Sequence, residues 1–186
     1  MKKSVSLLAA VLLFGGCAGS PSNYLALSPD VPAVVSTAQG RIALTTEDAR
    51  TSMDAVRITK GDEAPTLMGT GEPPAQQLGE LFRSAYRQAG FTLDPAATNL
   101  LEFKLERLHS DINETLIGYE AANEIVISAY ARNSQQIFSK RYSAKGSMKG
   151  PFSLDLATLE LEMNKLITRL AADIVNDPEL NQFLMQ

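Results

Sequence analysis

Cysteine and histidine each occur once in the 186 residues, as Cys17 and His109. A single thiol leaves no intramolecular disulfide, so the fold must hold by packing alone. One thiol and one imidazole also fall short of the three or four ligands that a zinc site needs. No GxSxG run is present to build a Ser-His-Asp arrangement around His109, which reads as a solvated or structural imidazole near a strand end. Gly146-Ser147-Met148-Lys149-Gly150 lacks the GxxxxGK spacing of a phosphate loop. Excess positive charge is missing too: 17 Lys and Arg stand against 21 Asp and Glu, which excludes a general attraction to nucleic acid. No internal repeat is visible. No apolar run reaches the ~20 residues that a spanning helix requires.

What the chain does have is a distinctive start. Lys2 and Lys3 precede the short apolar run Ser4–Gly16, which ends in Gly15-Gly16 before Cys17. A basic start, a short apolar stretch and small residues at a cut site mark an export signal. The end of the run resembles a lipobox, with Phe14 where leucine is usual. That resemblance implies cleavage before Cys17 and acylation of its thiol. Ala18, in place of an aspartate at that position, implies transfer to the outer membrane. Removing sixteen residues and two lysines leaves 170 residues with 15 basic and 21 acidic side chains, a net charge of −6, enough for one domain. The expected organisation is a signal peptide over 1–16, a lipidated N-terminus and flexible tether over 17–40, and one globular domain over 41–186. The Gly, Ser and Pro content of 18–40 suits a tether, although Tyr24, Leu25 and Leu27 are able to dock.

Within the domain, alternation predicts strands at Arg41–Thr46 and Ala55–Thr59, then a loop over 60–73. Pro74 opens a helix whose buried face is Leu78, Leu81, Phe82, Ala85 and Ala89. Gly90 ends it, and Phe91 folds back. Leu101, Phe103 and Leu105 alternate with Glu102, Lys104 and Glu106 in a strand, and the slip at Arg107-Leu108 signals a bulge. Ser110–Asn113 reads as a turn. Glu114–Arg132 is extended, with Ile125, Ile127, Ala129 and Ala131 facing the core. Asn133-Ser134 turns the chain into a strand from Ile137 to Gly146, and Gly146–Pro151 breaks it. Ser153 or Asp155 caps the longest helix, whose stripe runs from Leu156 to Ile174. Asn176-Asp177-Pro178 ends that helix and starts a final turn. The expected fold is α+β, β-β-α-β-β-β-α, a largely antiparallel or mixed sheet with two amphipathic helices on one face and the other face left to solvent or a partner.

Two surface features are candidates for binding. Lys140, Arg141, Lys145 and Lys149 form a local basic run in an acidic chain, suited to phosphate, lipid headgroups or peptide-stem carboxylates. Tyr130, with Val126 and either Phe138 or Tyr142, suits a protein interface on the outer sheet face. Paired carboxylates able to cleave glycans would need convergence in a cleft. Glu102 and Glu106 flank Lys104 on a water-facing strand, and Asp111 and Glu114 have turn-type positions. No catalytic residue, metal ligand or cofactor is expected beyond the covalent lipid on Cys17.

The lipobox, Leu27-Ser28-Pro29, Asp48-Ala49-Arg50, Gly90-Phe91 through Leu105, and the helix ending at Asn176-Asp177-Pro178 together resemble the YajG family of outer-membrane lipoproteins. The resemblance implies a lipid-anchored domain facing the periplasm, with a link to cell-wall metabolism and no established catalytic residues. The helix-Gly-Phe-strand pattern is also similar to other periplasmic α+β lipoproteins, including activators of peptidoglycan synthases and auxiliary lipoproteins of lipid transporters. The leading expectation is a non-enzymatic domain that binds a periplasmic protein or peptidoglycan. An auxiliary transport lipoprotein is the alternative and expects an acyl-sized groove between helix and sheet. A cell-wall hydrolase is the third reading.

Overall fold

The computed structural model describes residues 24–186. The expected signal peptide and Cys17 therefore lie outside the described residues, as does the tether up to residue 23. In chain order the elements are β1 (Tyr24–Leu25), β2 (Gly40–Asp48), β3 (Val56–Lys60), β4 (Thr66–Thr70), α1 (Pro74–Gln88), β5 (Phe91–Leu93), β6 (Asn99–Glu114), β7 (Gly118–Arg132), β8 (Ile137–Pro151), α2 (Leu156–Val175) and α3 (Pro178–Leu184).

The sheet is mixed and built around β6. One edge of β6 pairs antiparallel with β7 from Leu100↔Arg132 to Glu114↔Tyr119, and β7 pairs antiparallel with β8 along its whole length. The other edge is shared. β2 lies parallel to the first half of β6, from Ile42↔Asn99 to Asp48↔Leu105, and β3 lies parallel to the second half, from Val56↔Ser110 to Lys60↔Glu114. β5 extends the β2 side, while β4 and then β1 extend the β3 side. The parallel pairs arise because β2 and β3 reach β6 only through a long crossover that contains α1.

The slip read in the sequence is a β-bulge between Leu105 and Arg107. It sits where β2 ends and β3 takes over, and it resets the alternation. Before it Leu101, Phe103 and Leu105 are buried, and after it Leu108, Ser110 and Ile112 are. Both long helices pack on that face. Phe82 of α1 stacks on Phe103 with ring centroids 4.0 Å apart, and Tyr86 tilts between Phe91 and Phe103. Leu159, Met163, Leu166, Ile167, Leu170 and Ile174 of α2 join the same core. Each such fully buried side chain contributes about 1.5–3 kcal/mol relative to exposure. Asp155 is the residue that caps α2, accepting from the Thr158 amide at 3.1 Å. Gly90 ends α1 at φ +102°, where a Cβ would lie 2.3 Å from the Ala38 carbonyl, so only glycine fits.

Four local readings are corrected. The 60–73 stretch contains β4, because Thr66–Thr70 pairs back onto β3. Ser110–Asn113 is strand and not turn. The turn falls at Thr115–Ile117, where the Thr115 hydroxyl accepts from the Gly118 amide at 3.2 Å. Ser110 stays in the sheet because its hydroxyl donates across to Asn123 at 2.7 Å in a buried pair. Gly146–Pro151 also stays in β8, and Pro151 is tolerated because β8 is an edge strand. The described part of the expected tether, residues 24–40, lies along the domain with Leu25 and Leu27 buried. Its polar anchors include the Ala26 amide donating to Glu160 at 2.7 Å and the Ser28 amide donating to Asn164 at 2.8 Å.

Candidate binding surface

Alternation along β6, β7 and β8 sends every second side chain away from the helices. On β8 these are Arg141, Lys145 and Lys149, on β7 Glu124, Ser128 and Tyr130, and on β6 Glu102, Lys104, Arg107 and His109. The predicted set is thereby divided. Tyr130, Arg141, Lys145 and Lys149 share the open face. Lys140 and Tyr142, like Phe138, point to the helix side, because they are the alternate residues of the same strand.

The open face carries cross-strand charge pairs. Lys104 Nζ is 2.7 Å from Glu47 and 5.7 Å from the centre of the Tyr130 ring. Glu106, on the bulge, accepts from the Ser128 hydroxyl at 2.6 Å and from Arg141 Nε at 2.8 Å. Glu124 sits between Arg107 at 2.7 Å and Lys145 at 3.1 Å. The hydrogen bond from Lys104 holds the Glu47 carboxyl below its usual range, and that from Lys145 does the same for Glu124. Two of the three open-face cations on β8 are thus matched to carboxylates. Lys149 makes no ion pair among the described residues. Tyr130 is 37% exposed.

On the helix side, Lys140 and Tyr142 form a clamp. Asp177 caps α3, accepting from the Glu179 amide at 2.9 Å. Its other oxygen receives the Tyr142 hydroxyl and Lys140 Nζ, each at 2.7 Å. Lys140 also reaches Glu179 at 2.7 Å. Burial opposes the Asp177 charge, but the bonds from Lys140, Tyr142 and the α3 amides outweigh it and hold the carboxyl below its usual range. Burial first, and then the hydrogen bond to Asp177, pushes the Tyr142 hydroxyl far up. This arrangement ties α3 to β8.

A third constellation had no role assigned in the sequence beyond a family likeness. Asp48 at the end of β2 receives Arg50 Nε and Nη2, both at 2.8 Å. The Arg50 side chain is buried, and its Nη1 has no partner among the described residues. It borders a cleft of about 510 Å³ with Ser52, Asp54, Arg107 and His109. His109 Nδ1 lies 3.3 Å from the Asp54 carbonyl, and Nε2 lies 3.3 Å from Asp111. Ser52 donates to the Asp54 carboxylate at 3.3 Å and not to the imidazole. The only local signal was an acid and an arginine two apart at a strand end. The space between α1 and the sheet, where an acyl groove was the alternative expectation, is filled by the Phe82–Phe103 stack.

The family described as uncharacterized lipoprotein matches residues 29–185. The chain is 23% identical over 190 residues to the uncharacterized lipoprotein YajG of Escherichia coli K12, covering 100% of this chain and 97% of the relative. YajG of Escherichia coli O6:H1 matches to the same extent. In fold it is similar to a Xanthomonas campestris protein of the DUF330 family, with a TM-score of 0.55, 16% identity, and coverage of 86% of this chain and 91% of that one.

Proposed function

Because the chain belongs to the uncharacterized lipoprotein family that includes YajG, we propose that it is an outer-membrane lipoprotein, acylated on Cys17, with a non-enzymatic periplasmic domain that binds a protein. The binding surface in this reading is the open face of β6–β8 around Tyr130, Arg141, Lys145 and Lys149. No described helix is long and apolar enough to cross a membrane, so in this reading the attachment is the lipid.

The observation that carries the proposal is the free edge at β8. Among the described residues, the fifteen of β8 pair only with β7, and one edge therefore presents unused backbone donors and acceptors. Such an edge invites strand addition by a partner, and lysines along it discourage indiscriminate pairing. Lys145 and Lys149 stand on that strand with Tyr130 on the next, an aromatic residue beside charge as protein interfaces use. A link to peptidoglycan metabolism is carried only by family likeness, so it enters as an outcome of the test.

The test is in-cell photocrosslinking from Tyr130 and Lys149, with Gln88 on α1 as control. The expected result is a discrete protein adduct from the first two positions and none from the third. Adducts to peptidoglycan alone would overturn the protein-partner reading. Cys17→Ser should release the chain from the membrane fraction, and its retention there would overturn the lipid anchor.

A further inference from the structure

The two ends of the long sheet differ in chemistry. At the β7–β8 end the turn is Asn133-Ser134-Gln135-Gln136, polar throughout. At the β6–β7 end, Leu116 is fully exposed and Ile117 is 86% exposed. Beside them the chain leaves β8 through Phe152, which is 76% exposed. The Phe152 amide donates to the Ile117 carbonyl at 3.2 Å. Phe152 also has φ +64° and is the one described non-glycine residue with positive φ. That conformation is costly for a bulky side chain. The fold thus holds three large apolar side chains together in water at one end, where turn geometry asks for none of them.

The direction of β1 says what lies nearby. β1 runs parallel to β4, with Tyr24↔Gly69, and β4 runs antiparallel to β3, with Met68↔Val56. β3 in turn runs parallel to β6, with Val56↔Ser110. Followed backwards from Tyr24, the chain therefore points toward the Leu116 end. Tyr24 is level with about residue 109 of β6, which places the tip roughly 23 Å further along the strand direction. Cys17 is seven residues before Tyr24, a reach of at most about 25 Å even when fully extended. A lipid on Cys17 has just enough reach to sit level with the tip and not appreciably beyond it, so a bilayer that holds it is within reach of this end.

We infer that Leu116, Ile117 and Phe152 form a wedge that dips into the leaflet to which the Cys17 lipid is anchored. The inference rests on the acylation proposed above. The occupant is the apolar part of the bilayer and not its charge. Asp62 and Glu63 lie in the turn between β3 and β4 at the same end, Lys60 is paired to Glu114 at 2.8 Å, and Lys149 is level with Glu120. That balance gives no preference for anionic lipid, and seating by apolar side chains alone is insensitive to salt.

The test uses the full acylated lipoprotein in phosphatidylcholine vesicles. Acylation leaves no other free thiol, so Ile117→Cys or Ser134→Cys can each be labelled uniquely with a polarity-sensitive dye. The expected result is a blue shift and quenching by nitroxide lipids at 117 and neither at 134. Neither should change when a third of the lipid is made anionic or when salt is raised. Leu116→Asp with Phe152→Asp should lower the quenching at 117 several-fold while the circular dichroism stays the same. An acylated mass with the 117 label as wet as the 134 label would overturn the wedge and leave the anchor standing. Quenching that appears only with anionic lipid would also overturn it. An unacylated mass would overturn the anchor, and the wedge with it.

Discussion

Lys140 and Arg141 are neighbours on β8, yet they serve two different surfaces. Lys140 turns to the helix side and closes a buried network on Asp177. Arg141 turns to the open side and bonds directly to Glu106 at the solvent-exposed surface. The same contrast holds for the two faces as wholes. The helix face is filled by Phe82, Phe103, Met163 and Leu170. The open face is a mosaic of matched charges with Tyr130 and Lys149 left available. Residues of one face set stability, and residues of the other are free to serve recognition, because a strand assigns alternate side chains to opposite environments.

The largest effect expected from breaking this contrast is on the helix face. Phe103→Ala removes the ring stacked on Phe82 and should cost about 3–5 kcal/mol in denaturant unfolding, with loss of crosslinking only through unfolding. Next comes Asp177→Asn, which strips the charge from the α3 clamp and should cost about 2 kcal/mol at neutral pH. Asp177 is held below the usual carboxylate range. Its contribution is therefore full above the unfolded value of about 4 and is lost as pH falls through the depressed folded value. The difference between wild type and variant should shrink in acid, as unfolding curves at a series of pH values will report. Tyr130→Ala sharpens the contrast from the other side. It should cost less than about 1 kcal/mol while strongly reducing crosslinking from Lys149, and a large stability loss with unchanged crosslinking would make Tyr130 a core residue. The smallest effect belongs to Lys145→Ala. It breaks one exposed ion pair and should leave the unfolding midpoint unchanged within replicate scatter.

Much of this architecture was legible in the chain itself. Leu101, Phe103 and Leu105 alternate cleanly, and the slip at Arg107 announces the bulge, because a one-residue offset inverts every later side chain. The stripes of α1 and α2 are equally plain. Short β1, β4 and β5 were not visible, since two to five residues carry too little pattern and take their form from neighbours. Ser110 misled for a physical reason: a residue type that favours turns also serves as a buried cross-strand partner, here of Asn123. The parity of β8 separated Lys140 and Tyr142 from Arg141 and Lys145 already in the sequence, but grouping Lys140 with Arg141, Lys145 and Lys149 as one basic run, and Tyr142 with Tyr130 on the outer face, ignored it. Their partners Asp177, Glu106 and Glu124 lie 21 to 37 residues away, where local pattern is silent.

The shared edge of β6 also bears on the order in which the molecule assembles. β6, β7 and β8 join through turns of a few residues, so loop closure between them is fast. β2 and β3 have no seat until β6 exists, although they are made some fifty residues earlier. In a chain that crosses a membrane N-terminus first, the leading strands would have only the short β5 and β4 to pair with until β6 arrives. If Cys17 is cleaved and acylated as proposed, that delay would give the modifying enzymes time to act before the sheet closes over the region behind it.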